Sequence, residues 1–179
     1  MDKKETKFKK EIKSWIKSII HAIVIAVIIK IFFLQTVIVI GVSMNPTLNE
    51  NDRLLVNKAI YLVKEPKRGD IVTINAPDKQ GKIYIKRVIG LENETLEIKN
   101  GKIYINGEIL KEPYLQGNIN TNSKYKSKWR IPKNYVFVIG DNRQNSNDSR
   151  NFGPVKIKRI QGKAFFRFFP FGKRFGQVK

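Results

Sequence analysis

Two short segments carry residue types that could do chemistry together: Gly41-Val42-Ser43-Met44-Asn45-Pro46 and Tyr84-Ile85-Lys86-Arg87-Val88. A serine in a turn bounded by Gly and Pro can present its hydroxyl as a nucleophile, and a lysine set among apolar strand residues can give up its proton near neutral pH. A free lysine titrates near about 10.4, so service as a base requires a fall to about 7 or 8, which desolvation can supply. Gly41 permits close backbone approach, Pro46 stiffens the exit, and the Ser43 amide is placed to donate to a developing oxyanion. Ser43 also fits an ordinary turn after a strand, and Lys86 a solvated lysine on an edge strand.

A third segment, from Gly140 to Gly153, gathers Asp141, Asn142, Arg143, Ser146, Asp148, Ser149 and Arg150 into one loop. Hydroxyls, amides and opposite charges at such density suit a shell around a reactive centre. A calcium loop would need more carboxylates at different spacing.

Composition excludes a histidine base, and any serine chemistry must use another. The 179 residues contain no Cys and a single His, so disulfides, thiolate zinc sites and thiol chemistry are absent. His21 lies inside an apolar N-terminal run, which rules out a Ser-His-Asp triad in the rest of the chain. No cofactor motif is present. The formal net charge of +20 favours anionic partners, either nucleic acid or an acidic lipid surface.

The N-terminus favours lipid. Lys3, Lys4, Lys7, Lys9, Lys10, Lys13 and Lys17 precede Ile19 to Ile40, a run of mostly Ile, Val, Ala, Phe and Leu. About 20 apolar residues span a bilayer, and Lys30 sits near enough to the end to snorkel. The division predicted is a basic cytoplasmic segment 1–18, a transmembrane anchor 19–35 and an extracytoplasmic domain 36–179, with the N-terminus inside. A cleavable signal with a cut after Gly41-Val42-Ser43 would have a shorter apolar core, and a wholly apolar helix is hard to bury in so small a domain.

Beyond Met44 the pattern is mainly β. Runs 52–63, 69–76, 82–89, 95–99, 102–105, 135–139 and 161–169 are β-branched or aromatic, separated by Gly, Pro, Asn and Asp, with Asn100-Gly101 and Asn106-Gly107 as hairpin turns. Gly-Lys-Ile-Tyr-Ile occurs at Gly81 and Gly101, two similar strands rather than a repeat. The polar stretch 116–128 reads as a loop with no chemistry of its own. Within 82–89 the alternation sets Tyr84, Lys86 and Val88 on one face and Ile83, Ile85 and Arg87 on the other.

Side by side, these segments resemble the type I (leader) signal peptidases of peptidase family S26, in their short Gram-positive-like form. The resemblance runs in order through the anchor, Ser43-Met44-Asn45-Pro46-Thr47-Leu48, Asn51-Asp52-Arg53-Leu54-Leu55-Val56, Arg68-Gly69-Asp70-Ile71-Val72, Tyr84 to Gly90, Ile105-Asn106-Gly107-Glu108, Glu112-Pro113-Tyr114-Leu115 and Gly140 to Arg150.

It implies antiparallel sheets of the fold shared with self-cleaving repressors, and a membrane-bound serine endopeptidase that cuts signal peptides after Ala-x-Ala-type sites through an acyl-enzyme. Ser43 matches the acylating serine and Lys86 the base. Ser146 matches a hydroxyl that orients the amine, and Asp148 and Arg150 a supporting ion pair. Met44, Leu48, Leu54, Tyr84 and Ile85 match the lining of shallow P1 and P3 pockets. Implied partners are signal peptides of exported preproteins and a bilayer with anionic headgroups, with no nucleic acid, metal or cofactor. Three positions depart from the pattern: Gly41 where some members carry an oxyanion-hole hydroxyl, Leu91-Glu92-Asn93-Glu94 in place of Leu-Pro-Gly-Asp, and Gln144 in place of an acid. The first two touch oxyanion geometry and a turn. A catalytically silent anchored relative is the alternative reading.

Overall fold

The computed structural model describes residues 3–117 and 119–178, without the side chains of 3–10, 29 and 31. The side chains of Lys3, Lys4, Lys7, Lys9 and Lys10 in the basic flank, and Asn118 in the polar loop, thus lie outside the described residues. Helix α1 (Lys3–Phe33) takes in both the basic flank and the apolar run, so residue 18 marks no change of backbone. At about 1.5 Å per residue it is about 46 Å long. It stops at Phe33, and β1 (Leu34–Ile38) follows at once, in line with the extended Thr36-Val37-Ile38 run.

The expected transmembrane helix needs correction. Among the described residues no helix is long and apolar enough to cross a membrane. The described stretch 11–28 carries Glu11, Lys13 and Lys17 toward its start, and these dilute the apolar run that follows. Ile19, Ile20, Ile23, Val24, Ile25, Val27 and Ile28 are nonetheless all exposed. Consecutive helical positions such as 23, 24 and 25 point about 100° apart, so apolar surface faces every direction.

The remainder is β, as read. In chain order the strands are β2 (Arg53–Asn57), β3 (Ile71–Asn75), β4 (Ile83–Gly90), β5 (Thr95–Lys99), β6 (Lys102–Ile105), β7 (Glu108–Ile109), β8 (Lys128–Arg130), β9 (Tyr135–Ile139), β10 (Val155–Lys156), β11 (Ile160–Phe169) and β12 (Gly176–Gln177). One antiparallel sheet runs β1-β2-β11-β3-β4-β9-β10 with β12 on β11, and a smaller one runs β7-β6-β5-β8. The smaller sheet is made by the hairpin turns the sequence signals. Asn100 and Gly101 have φ of 51° and 73°, and Asn106 and Gly107 have 52° and 92°, the left-handed pairs that a two-residue turn demands.

Two expectations about elements change. The run 52–63 is not one strand, because Asn57 Oδ1 caps the amides of Ala59 and Ile60 at 3.0 Å each and starts a short helix, α2 (Ile60–Val63). The polar stretch 116–128 is largely loop, but it ends in β8, whose Trp129 is buried against Phe137 with ring centroids 4.8 Å apart.

Three apolar clusters position the site. Ile89, Leu96, Ile98, Ile103, Ile105, Trp129, Ile131, Phe137 and Ile139 join the two sheets. Val39, Met44, Leu48, Leu54, Val56, Ile71 and Ala164 pack beneath the Ser43 turn. Val72, Ile74, Val88, Val136, Val138 and Val155 fill the other face of the large sheet. Filling a buried aliphatic position contributes about 1.5–3 kcal/mol, so the turn rests on a firm floor.

Candidate active site

The segment 39–52 is a loop closed at its base and folded back on itself. Val39 N donates to Asp52 O and Asn51 N to Val39 O, both at 2.9 Å, while Leu48 N donates to Met44 O at 2.9 Å. Gly41 takes φ of 81°, a left-handed conformation that side-chain-bearing residues resist, and this turns the chain so that Val42 and Ser43 stand at the tip. Across from it, β4 enters the sheet between β3 and β9, with Val72 opposite Lys86.

Lys86 Nζ lies 2.8 Å from Ser43 Oγ and 3.0 Å from Ile85 O. The lysine is 3% exposed. Burial lowers its pKa from 10.5 to about 8; Asp148, Asp141 and Asp78 pull the value up, and Arg150 pushes it down. Tyr84 on the same face puts its ring centroid 5.3 Å from the amine. An amine largely stripped of water and in contact with a hydroxyl can take that hydroxyl's proton, the first requirement of acyl transfer.

The 140–150 loop encloses the pair from the far side. Asp148 and Arg150 form a buried ion pair, with Arg150 Nε to Oδ1 and Nη2 to Oδ2 both at 2.8 Å. Asp148 Oδ2 also accepts from Gly140 N at 3.1 Å, and Asp148 caps α3 (Ser149–Phe152) through Arg150 N. Arg150 Nη1 donates to Arg143 O at 2.7 Å and to Asn122 O at 3.1 Å, so the polar stretch 116–128 supports the site after all. Gly140 is required by crowding: a side chain there would collide with Ser146 Oγ and the Ser43 carbonyl.

Ser146 thus stands beside the Ser43 backbone, but its Oγ is buried without a hydrogen-bond partner. The bond to the lysine amine implied by the resemblance is not formed in this arrangement, because the amine's neighbours are Ser43 Oγ and Ile85 O. The implied pocket residues divide in the same way. Met44, Leu48 and Leu54 are 1%, 0% and 0% exposed and belong to the floor of the loop rather than to an open lining. Tyr84 and Ile85 are half-buried and reach the surface.

Sequence reasoning missed a second buried charge network. Arg87 was placed on the face opposite Lys86 without a role. It forks onto Asp141, with Nε to Oδ1 at 2.9 Å and Nη2 to Oδ2 at 2.7 Å, and lies over the Tyr114 ring at 3.9 Å. Arg143 is paired with Glu112 and donates to Thr121 Oγ1 at 2.5 Å. Tyr114 OH donates to Glu112 at 2.5 Å, and burial together with that carboxylate pushes its pKa up. The signal was present in the match of Glu112-Pro113-Tyr114 and Asp141-Asn142-Arg143 to family segments, but spacing alone does not say which acid meets which base. Asn142 closes the arrangement: its amide donates to Ser43 O and its Nδ2 to Val42 O, both at 3.1 Å.

No metal-holding group of His, Asp or Glu is found among the described residues. The arrangement offers one nucleophile, one base and a rigid polar frame.

The family model described as signal peptidase, peptidase S26, matches residues 12–169. The chain is similar to a signal peptidase I of Bacillus licheniformis, 41% identical over 180 residues that cover 96% of each chain. It is also similar to signal peptidase I P of Bacillus subtilis subsp. natto, 42% identical over 179 residues, covering 94% of this chain and 95% of the relative. A crystal structure of a signal peptidase I from Enterococcus faecalis is 36% identical and covers 56% of this chain and 97% of its own, with a TM-score of 0.48.

Proposed function

The chain belongs to the signal peptidase family, peptidase S26, and from that premise we propose that it is a membrane-bound serine endopeptidase that removes signal peptides from exported preproteins through Ser43 and Lys86. The observation that carries the reading is the 2.8 Å contact between a buried lysine amine and a serine hydroxyl, with the lysine's pKa held at about 8.

In this reading the neutral amine of Lys86 takes the Ser43 proton as Oγ attacks the scissile carbonyl. The resulting ammonium returns the proton to the leaving amine, and the acyl-enzyme remains. The same amine then activates water for deacylation. The Ser43 N–H donates to the oxyanion; Gly41 adds no hydroxyl. Once Oγ is acylated it can no longer give Lys86 a proton, and the amine needs another partner. The unpaired hydroxyl of Ser146 supplies it, which makes Ser146 a positioning residue of the second half-reaction. Asp148 and Arg150 hold that loop in place.

Substrate docking as an added strand has a main-chain edge available. β9 pairs with β4 only from Arg87 to Gly90, so among the described residues no strand pairs with that edge over Ile83–Lys86. A peptide laid there forms main-chain hydrogen bonds and presents alternate side chains to the enzyme. Ile85, packed on the closed floor of Met44, Leu48 and Leu54, and Tyr84, packed on the Val72, Ile74 and Val88 cluster, are read as leaving room only for small residues at P1 and P3, the Ala-x-Ala preference.

The membrane part rests on α1 and the edge of β1. The apolar surface of α1 faces every direction, and Ile38, Ile40 and Val42, just before the nucleophile, are 55%, 88% and 45% exposed. Such a patch is tolerable against lipid. The apolar part of α1 is proposed to seat the chain on the membrane, with its basic start beside anionic headgroups.

The test is cleavage of a labelled preprotein with an Ala-x-Ala site by the detergent-solubilised chain. Turnover by the wild type and none by Ser43→Ala is expected. No turnover by a folded wild type would favour the catalytically silent relative instead.

A further inference from the structure

The C-terminal hairpin, residues 166–178, reaches the loop that carries Ser43 through a buried carboxylate. Asp52, 1% exposed, closes the loop by accepting from Asn49 N at 2.9 Å. The same Oδ2 accepts from Arg174 Nη2 at 2.6 Å and from Arg167 Nη1 at 3.2 Å. Arg167 Nη1 also donates to Thr47 O at 2.9 Å, and its Nε donates to Arg174 O. Thr47 Oγ1 in turn accepts from Nη2 of Arg87, the residue next to Lys86, at 3.4 Å. The hairpin itself is secured by the pairing of Arg167 with Gly176, by Phe166 edge-on to Phe175 at 5.1 Å, and by Val178 packed on the floor beneath Ser43.

We propose that Arg174, acting through Asp52, is a positioning residue for the nucleophile: it fixes the 44–52 half of the Ser43 loop so that Oγ stays within reach of the lysine amine. The physical case is a count of constraints. The tip of the loop is held on one side by Asn142 and its return half by the packing of Met44 and Leu48, the Arg87–Thr47 contact and its turn bonds, while the contacts of Arg167 and Arg174 on Asp52 lock its end. Arg167 already bonds main-chain carbonyls with two of its donors, and Arg174 is the remaining charge that neutralises the buried Asp52. Removing it leaves a carboxylate with a weaker set of donors, while the backbone pairing and aromatic contacts of the hairpin remain. Displacement of a reacting group by about 1 Å can lower a rate by about a hundredfold.

This inference rests on the reading of Ser43 as the nucleophile. The experiment therefore compares wild type, Arg174→Ala, Arg174→Lys and Ser43→Ala, all as the full chain and at a temperature where circular dichroism shows each folded. Two rates are measured per folded molecule: peptide cleavage, split into kcat and KM, and phosphonylation of Ser43 by a small activated phosphonate, in which Oγ displaces the leaving group at phosphorus and no peptide docking is needed. Arg174→Ala is expected to lower kcat by about tenfold to a hundredfold with KM within about twofold, to slow phosphonate labelling by the same factor, and to be restored to within about threefold of wild type by Arg174→Lys. Arg174→Ala with wild-type kcat and labelling overturns the clamp, as does a loss carried by KM alone or one accounted for by the unfolded fraction. Cleavage by Ser43→Ala would instead overturn the nucleophile reading, so the two failures are told apart.

Discussion

Arg87 of β4 and Asp141 of the loop after β9 are locked together by two hydrogen bonds of 2.9 and 2.7 Å, one residue from the lysine that meets Ser43. Arg87 is 1% exposed and Asp141 0%, so the pair is fully withdrawn from water. A buried pair is not a large net source of stability, but breaking it leaves an uncompensated charge, which costs about 3–5 kcal/mol. Asp141→Ala is therefore expected to lower the unfolding free energy by that amount and to remove activity with it. Chemical denaturation followed by fluorescence checks the first part, and a loss below about 1 kcal/mol would contradict it.

Lys86→Ala and Lys86→Arg are both expected to lower kcat/KM for peptide cleavage by about three orders of magnitude or more while the domain stays folded. The arginine variant keeps the positive charge but cannot lose its proton at any working pH, so it separates a base from a mere cation. Arginine retaining a tenth of wild-type activity would rule out the base role.

Burying Lys86 has a stability consequence with a definite sign. Its folded pKa, about 8, lies below the unfolded value of 10.5, so between those two pH values the unfolded chain binds the extra proton and stability rises with pH. The penalty is full below about pH 8 and gone above about pH 10.5, and the difference corresponds to about 3 kcal/mol. Lys86→Met should thus stabilise the folded state by up to that amount at pH 7 and progressively less toward pH 10. A stability difference independent of pH would mean that the lysine is not depressed.

Much of this site was legible before the fold. Ser43 and Lys86 stood out because each type has few reasons to sit in its setting, a hydroxyl in a Gly/Pro turn and a cation in an apolar strand. The strands were legible from β-branching, and the two Asn-Gly turns from the left-handed backbone that only such pairs adopt readily. What was not legible depends on partners far apart in sequence. A period-two reading puts Arg87 on the face opposite Lys86 and names no partner for it, but β4 is covered on both faces from Lys86 onward, which buries Arg87 and demands Asp141. The closure of Met44, Leu48 and Leu54 beneath the loop is likewise a matter of how 39–52 folds back, and no local pattern reports it. Asn57 ended a strand that its β-branched neighbours would have continued, because its side chain can satisfy two amides of the next turn.

Ser146→Ala discriminates between the half-reactions. Its Oγ lacks a partner while Lys86 faces Ser43, so the first step should be little changed, whereas deacylation should slow by about 2- to 13-fold, the range of one neutral hydrogen bond of about 0.5–1.5 kcal/mol. Quenched-flow analysis should then find more acyl-enzyme at steady state than in the wild type. Equal slowing of both steps would mean that the hydroxyl serves the ground-state amine directly.

The central claim, that a neutral Lys86 activates Ser43, is tested most directly by the pH dependence of kcat/KM for peptide cleavage from pH 6 to 10, with folding verified at each point. The neutral amine is the active form, so kcat/KM should rise about tenfold per pH unit on the acidic side and level off above a midpoint near 8. A profile that is flat or falling between pH 6 and 9 would contradict a lysine base.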